Sequence, residues 1–86
     1  MVRLESERLR VTAIKRHETR ETLVVRLHNM TAQDTVEVLT VGLPIRAAWH
    51  VDLLEERQGS IEFADRTLHL DVAPYKIATL EIEFAT

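Results

Sequence analysis

Two pairs of residues in this chain have a spacing that could do chemistry: His50 with Asp52, and His69 with Asp71. Each is a His-x-Asp step. In an extended strand, residues two apart point to the same side. Imidazole nitrogens and carboxylate oxygens are both zinc ligands, and four of them suffice for a tetrahedral site. If the two strands were neighbours, these four side chains could converge on one ion. Nothing in the spacing makes them neighbours, however, and such pairs arise freely on any solvated strand face. The simpler reading is two outward faces of two unrelated strands. His17, in a turn, and His28, on the polar side of a strand, read as surface residues.

Other chemistry is thinner still. Glu55 and Glu56 are adjacent carboxylates. Glycoside hydrolysis needs two carboxyls facing each other across a cleft at roughly 5–10 Å. Neighbours on an extended segment point apart, so this pair reads as a solvated turn. No serine has a His and a carboxylate in a local catalytic motif. Gly42 and Gly59 stand alone, so no phosphate-cradling loop is present. Trp49 and Tyr75 could form an aromatic platform for a sugar ring. Trp49 is nevertheless in phase with Ala47, Val51 and Leu53, which places it in the core. Asn29-Met30-Thr31 spells a glycosylation sequon, a triplet common by chance.

The elements that must position these residues are strands. Leu23, Val25 and Leu27 alternate with polar or outward residues, as do Leu68, Leu70 and Val72, and again Ala78, Leu80, Ile82 and Phe84. Strict period two buries one face of a pleated strand. We read about seven strands, hence an all-β chain forming a small antiparallel β-sandwich. Residues 9–15 form the first, with Leu9, Val11 and Ala13 on one face. Residues 22–29 form the second, after a polar turn at 17–21. Residues 35–43 form the third, where Val36 and Val38 take one phase and Leu39, Val41 and Leu43 the other. That conflict implies a bulge near Val38–Leu39 or burial on both sides. Residues 46–54 form the fourth, closed by a polar turn at 55–59. Residues 60–64 and 66–72 form a hairpin with its tip near Asp65-Arg66, and Pro74 opens the last strand, 75–84. Residues 4–15 and 47–56 have some helical character, and their β-branched content favours strand.

With 86 residues, the chain is expected to be one domain, 1–86, and a domain of this size is marginal alone. Hydrophobic residues make up 45%, enough for a core and too many for a disordered segment. Net charge is −3 with no basic stripe, which argues against nucleic acid. No apolar run approaches ~18 residues, so no membrane span is expected. Residues 1–10 lack the apolar centre of a signal peptide, and a cytoplasmic setting is favoured. There is no cysteine, so neither disulfide nor thiolate-zinc staples the fold.

Three stretches together resemble a known family. Arg26-Leu27-His28-Asn29-Met30-Thr31 ends the second strand. Val51-Asp52-Leu53-Leu54-Glu55-Glu56 ends the fourth. Val72-Ala73-Pro74-Tyr75-Lys76-Ile77-Ala78-Thr79-Leu80 starts the last. In this order they are similar to the C-terminal β-sandwich of glycoside hydrolase family 38 α-mannosidases, with its RLxNxT-like strand end, its (V/T)(D/N)LLE stretch and its PxEIxT-like start of the final strand. Lys76 stands where the family usually has Glu, Met30 where Pro is frequent, and His28 where an aromatic is common.

The resemblance implies a non-catalytic C-terminal piece of a larger glycosidase, packed against its catalytic domains and stabilising them. The parent would be a zinc-dependent, retaining α-mannosidase acting on a mannose-containing substrate. Zinc would belong to the parent, with no cofactor in this piece. No catalytic residue is carried over; Asn29 and Thr79 are expected to satisfy backbone groups at strand ends, and Pro74 to fix the last strand. A domain parted from its neighbours should show an apolar patch. Leu39, Val41 and Leu43 are the candidates, through which two isolated copies could form a homodimer. Two alternatives stand beside this: a stand-alone carbohydrate-binding module using Trp49 and Tyr75, and a small metal protein using His50, Asp52, His69 and Asp71.

Overall fold

The computed structural model describes residues 2–4, 9–17, 21–52, 54 and 56–85. The strands are β1 (Val2–Leu4), β2 (Leu9–Arg16), β3 (Leu23–Asn29), β4 (Thr35–Val41), β5 (Ile45–Val51), β6 (Arg57–Ser60), β7 (Phe63–Ala64), β8 (Thr67–Val72) and β9 (Ile77–Phe84). They form two antiparallel sheets, one ordered β1-β4-β8-β7 and the other β2-β3-β9-β5-β6. The all-β sandwich is as expected, with nine strands in place of about seven. The additional strands are short: β1, and β6 where a turn was expected. β6 is Arg57-Gln58-Gly59-Ser60, which carries no apolar residue to signal a strand.

The core lies between the sheets. Leu9, Val25, Leu27, Ile45, Ala48, Leu80 and Ile82 come from the five-stranded sheet, and Leu39, Val41, Leu68, Leu70 and Val72 from the four-stranded one. Each buried aliphatic side chain contributes roughly 1.5–3 kcal/mol of transfer free energy. The inward sets expected for β3, β8 and β9 are the observed ones.

Three strands depart from simple alternation, each for a local reason. β2 has a register shift between Val11 and Ala13, so Thr12 is an extra residue whose hydroxyl donates to the Arg26 carbonyl at 3.2 Å. Past it the phase flips, and Ile14, not Ala13, pairs with the core residue Val25. β5 has a shift between Ile45 and Ala47. One extra residue in a strand reverses which side chains face the core. Ile45 and Ala48 therefore point inward, and Ala47, Trp49 and Val51 do not join the core cluster. The placement of Trp49 in the core is corrected on this ground. Leu53 lies outside the described residues. β4 pairs regularly with β8 from Thr35 to Thr40, with no bulge at Val38–Leu39. Its inward face is Thr35, Glu37, Leu39 and Val41, and Val36 is exposed. Leu39 and Val41 are thus core, and of the expected apolar patch only Leu43 is exposed. The turn expected at 17–21 falls largely outside the described residues.

Tight turns fix the ends. Asp65-Arg66 joins β7 to β8, with Asp65 at φ 53°. Aspartate tolerates that left-handed region better than most residues. The Asp65 and Arg66 carbonyls accept from the amides of Ile45 and Val41, tying this turn to both sheets. β9 begins at Ile77, two residues later than expected, because Ala73–Lys76 is a closed turn with Tyr75 at φ 57°.

Candidate functional site

The His-x-Asp pairs are not brought together. His50 and Asp52 belong to β5 and its exit in the five-stranded sheet, His69 and Asp71 to β8 in the four-stranded sheet. Both His69 and Asp71 are exposed. Asp52 has a local role: one carboxylate oxygen accepts from the amides of Leu54 and Glu56, both at 2.9 Å, and the other from the Gln58 side chain at 3.1 Å. Glu55 lies outside the described residues. No group of three or more His, Asp or Glu among the described residues could hold a metal ion.

The polar group that the fold does assemble was not singled out by the sequence. It sits on the outer face of the five-stranded sheet. Glu81 of β9 is 0% exposed, although its strand position points it away from the core. Thr22 donates its hydroxyl to one Glu81 oxygen at 2.6 Å. Arg57 of β6 donates through Nε to the other oxygen at 3.0 Å and through Nη2 at 3.4 Å to the oxygen that Thr22 also reaches. The same guanidinium lies 3.6 Å over the centroid of the Trp49 ring. Trp49 is thus stacked under a cation on one face, a geometry of cation–π attraction. That face of the ring is covered by the guanidinium. Val24, Thr79 and Val51 on the same outer face are also buried. No pattern in the sequence links Glu81 to Arg57, since the two are twenty-four positions apart.

A second polar centre closes one end of the sandwich. Asn29, fully buried, ends β3. Its amide nitrogen lies in donor range of the carbonyls of Gln33 (2.8 Å), Val72 (2.9 Å) and Ala73 (3.1 Å). Its oxygen accepts from the amide and the hydroxyl of Thr31. The expectation that Asn29 satisfies backbone groups holds. Thr79 differs: its hydroxyl accepts from the Arg26 side chain at 3.4 Å. The sequon has its explanation here, because Thr31 is the partner that orients the Asn29 oxygen.

The three stretches that carry the resemblance meet at this end. Arg26 pairs with Thr79, and Thr79 with Val51. Tyr75 donates its amide to Thr31, and Asn29 donates its amide to Lys76. A shallow cleft of about 300 Å³ lies at their junction, lined by Arg26, Val51, Asp52, Ile77 and Thr79. Ile77 in its lining is exposed, as are Met30 and Tyr75 on the turns at this end.

Comparison with known families gives one match, to the glycosyl hydrolases family 38 C-terminal beta sandwich domain, over residues 8–80. The chain belongs to this family. Neither a curated protein nor a solved structure matches it. The family 38 membership agrees with the observed sandwich, and it makes the chain a domain type found in larger glycoside hydrolases. Within this family 38 domain, the three matching stretches serve as a structural knot at one end of the sandwich.

Proposed function

We propose that this chain is the non-catalytic C-terminal sandwich of an α-mannosidase, packed against the catalytic domains and stabilising them. One observation beyond the family match supports the reading. The Asn29 end carries three exposed apolar side chains, Met30 and Tyr75 on its turns and Ile77 at the start of β9, on a frame tied by buried hydrogen bonds. Tyr75 keeps a left-handed backbone there, which costs a non-glycine residue about 1 kcal/mol. A rigid apolar trio is what a permanent neighbour would cover. In this reading the neighbour is the catalytic body of the parent chain. Zinc and the mannose-containing substrate belong to that body, and isolated copies pair through the same trio.

The test uses the complete enzyme that carries this chain. Zinc-dependent hydrolysis of an aryl α-mannoside is expected. Tyr75→Asp combined with Ile77→Asp should lower its thermal midpoint and its specific activity together. Circular dichroism of the 86-residue chain with the same changes should keep the β spectrum. An unchanged midpoint and activity in the double variant, or a complete protein without mannosidase activity, would overturn the proposal.

A further inference from the structure

The opposite end of the five-stranded sheet carries a separate, larger cleft. Its volume is about 470 Å³, within the size range of small-molecule pockets. It is lined by Arg16 at the end of β2, Glu21 and Thr22 before β3, Leu43, Arg46 of β5, Arg57 of β6, and Glu83 and Phe84 at the end of β9. The strands pair Arg16 with Leu23, and Ile45 with Phe84, so this is the end of the sheet away from Asn29. The cleft is therefore independent of the docking end proposed above.

Its polar groups are held but not consumed. Arg57 is fixed on two sides, by Glu81 and by the Trp49 ring. Of the five N–H donors of a guanidinium, two go to Glu81, and the rest have no partner among the described residues. Arg46 meets Glu83 only at 3.6 Å. Arg16 and Glu21 are exposed and make no ion pair among the described residues. A buried carboxylate that anchors an arginine adds little stability compared with an apolar pair of the same shape. What it does provide is a guanidinium held in one position at the cleft wall.

The lining selects among ligand chemistries. Three arginines disfavour a metal ion. Two carboxylates, Glu21 and Glu83, disfavour a compact anion such as phosphate on the same wall. An apolar ligand would strip water from five charged groups with no return. A neutral polyol satisfies both kinds of group, because each hydroxyl can accept from a guanidinium and donate to a carboxylate. Leu43 and Phe84 offer apolar surface for the C–H face of a ring. We infer that this cleft is a binding site for a neutral, pyranose-sized sugar unit, set by Arg57, Arg46, Glu21 and Glu83. The inference does not depend on the proposed role in an α-mannosidase.

The experiment is a titration of the isotope-labelled 86-residue chain with methyl α-mannoside, methyl α-glucoside and methyl β-galactoside, followed by NMR. Inorganic phosphate is the control for simple charge attraction. At least one glycoside should give saturating shifts at Glu21, Thr22, the Arg46 and Arg57 Nε–H groups and Glu83, with millimolar affinity. Glu21→Ala and Arg46→Ala, both at exposed positions, should each weaken it about tenfold, the loss of one charge-assisted hydrogen bond. His69→Ala, on the other sheet, should leave it unchanged. Absence of saturable shifts with every glycoside would overturn the inference. So would phosphate saturating the same residues as tightly as the sugars, or unchanged affinity in both cleft variants.

Discussion

The outer faces of the two sheets obey the same alternation and end up in different states. On the four-stranded sheet, β8 presents His69 and Asp71 beside Val38 and Val36 of β4, and His69, Asp71 and Val36 are exposed. On the five-stranded sheet, β9 presents Thr79 and Glu81 beside Arg26 and Val24, and Val24, Thr79 and Glu81 are buried. Strand periodicity alone would make both faces wet. The difference is a lid of side chains: Arg57, 35% exposed at its side chain, and Trp49 lie over the second face. Position in a strand decides direction, and the neighbours on that face decide whether water reaches it.

The largest test of this contrast is Arg57→Ala. It takes the Arg57 guanidinium away from the buried Glu81 carboxylate. Breaking such a pair costs about 3–5 kcal/mol when both partners are buried, and about 2–3 kcal/mol here because Arg57 is partly solvated. In a chain of this size that lowers the melting temperature by roughly 10–20 °C, measured by calorimetry. Trp49 is the sole tryptophan, so its fluorescence should become more open to iodide quenching in the same variant. A loss under half a kcal/mol would mean that the two outer faces are energetically alike.

Thr22→Val comes next. It removes the hydroxyl donor at 2.6 Å from Glu81, and about 1–2 kcal/mol of stability should go with it in urea unfolding. A smaller effect follows from replacing the group as a whole: Arg57→Met with Glu81→Leu, made together with Thr22→Val, should unfold within about 1 kcal/mol of the wild type. A triple variant as unstable as Arg57→Ala would show that the arginine acts through Trp49 and not through the carboxylate. Smallest of all, His69→Ala and Asp71→Ala on the solvated face should each stay within about 0.5 kcal/mol of the wild type.

Much of the sandwich was legible because its central strands are regular. β3, β8 and β9 carry no extra residue of their own, so period two assigned their inward residues directly. β2 and β5 were misphased at Thr12 and Arg46 because neither bulge carries a glycine or any other local mark. β4 misled in another way, since its inward face contains Thr35 and Glu37 while valines face outward. The candidate site was less legible than the fold. The Glu81, Arg57, Trp49 and Thr22 cluster depends on which strands become neighbours, and on a side chain crossing from an edge strand that reads as a turn. The two His-x-Asp pairs, obvious in the sequence, ended in separate sheets for the same reason.

The buried amide of Asn29 sets a rule for any cell that tries to decorate it. An oligosaccharide attached there would displace the contacts to Val72 and Ala73 and push the β3–β4 loop away from the β8–β9 turn. Sugar transfer at this asparagine and closure of the sandwich are mutually exclusive events. In a secretory lumen the outcome becomes a race between folding and oligosaccharyltransferase, and a glycosylated chain would be one that lost it.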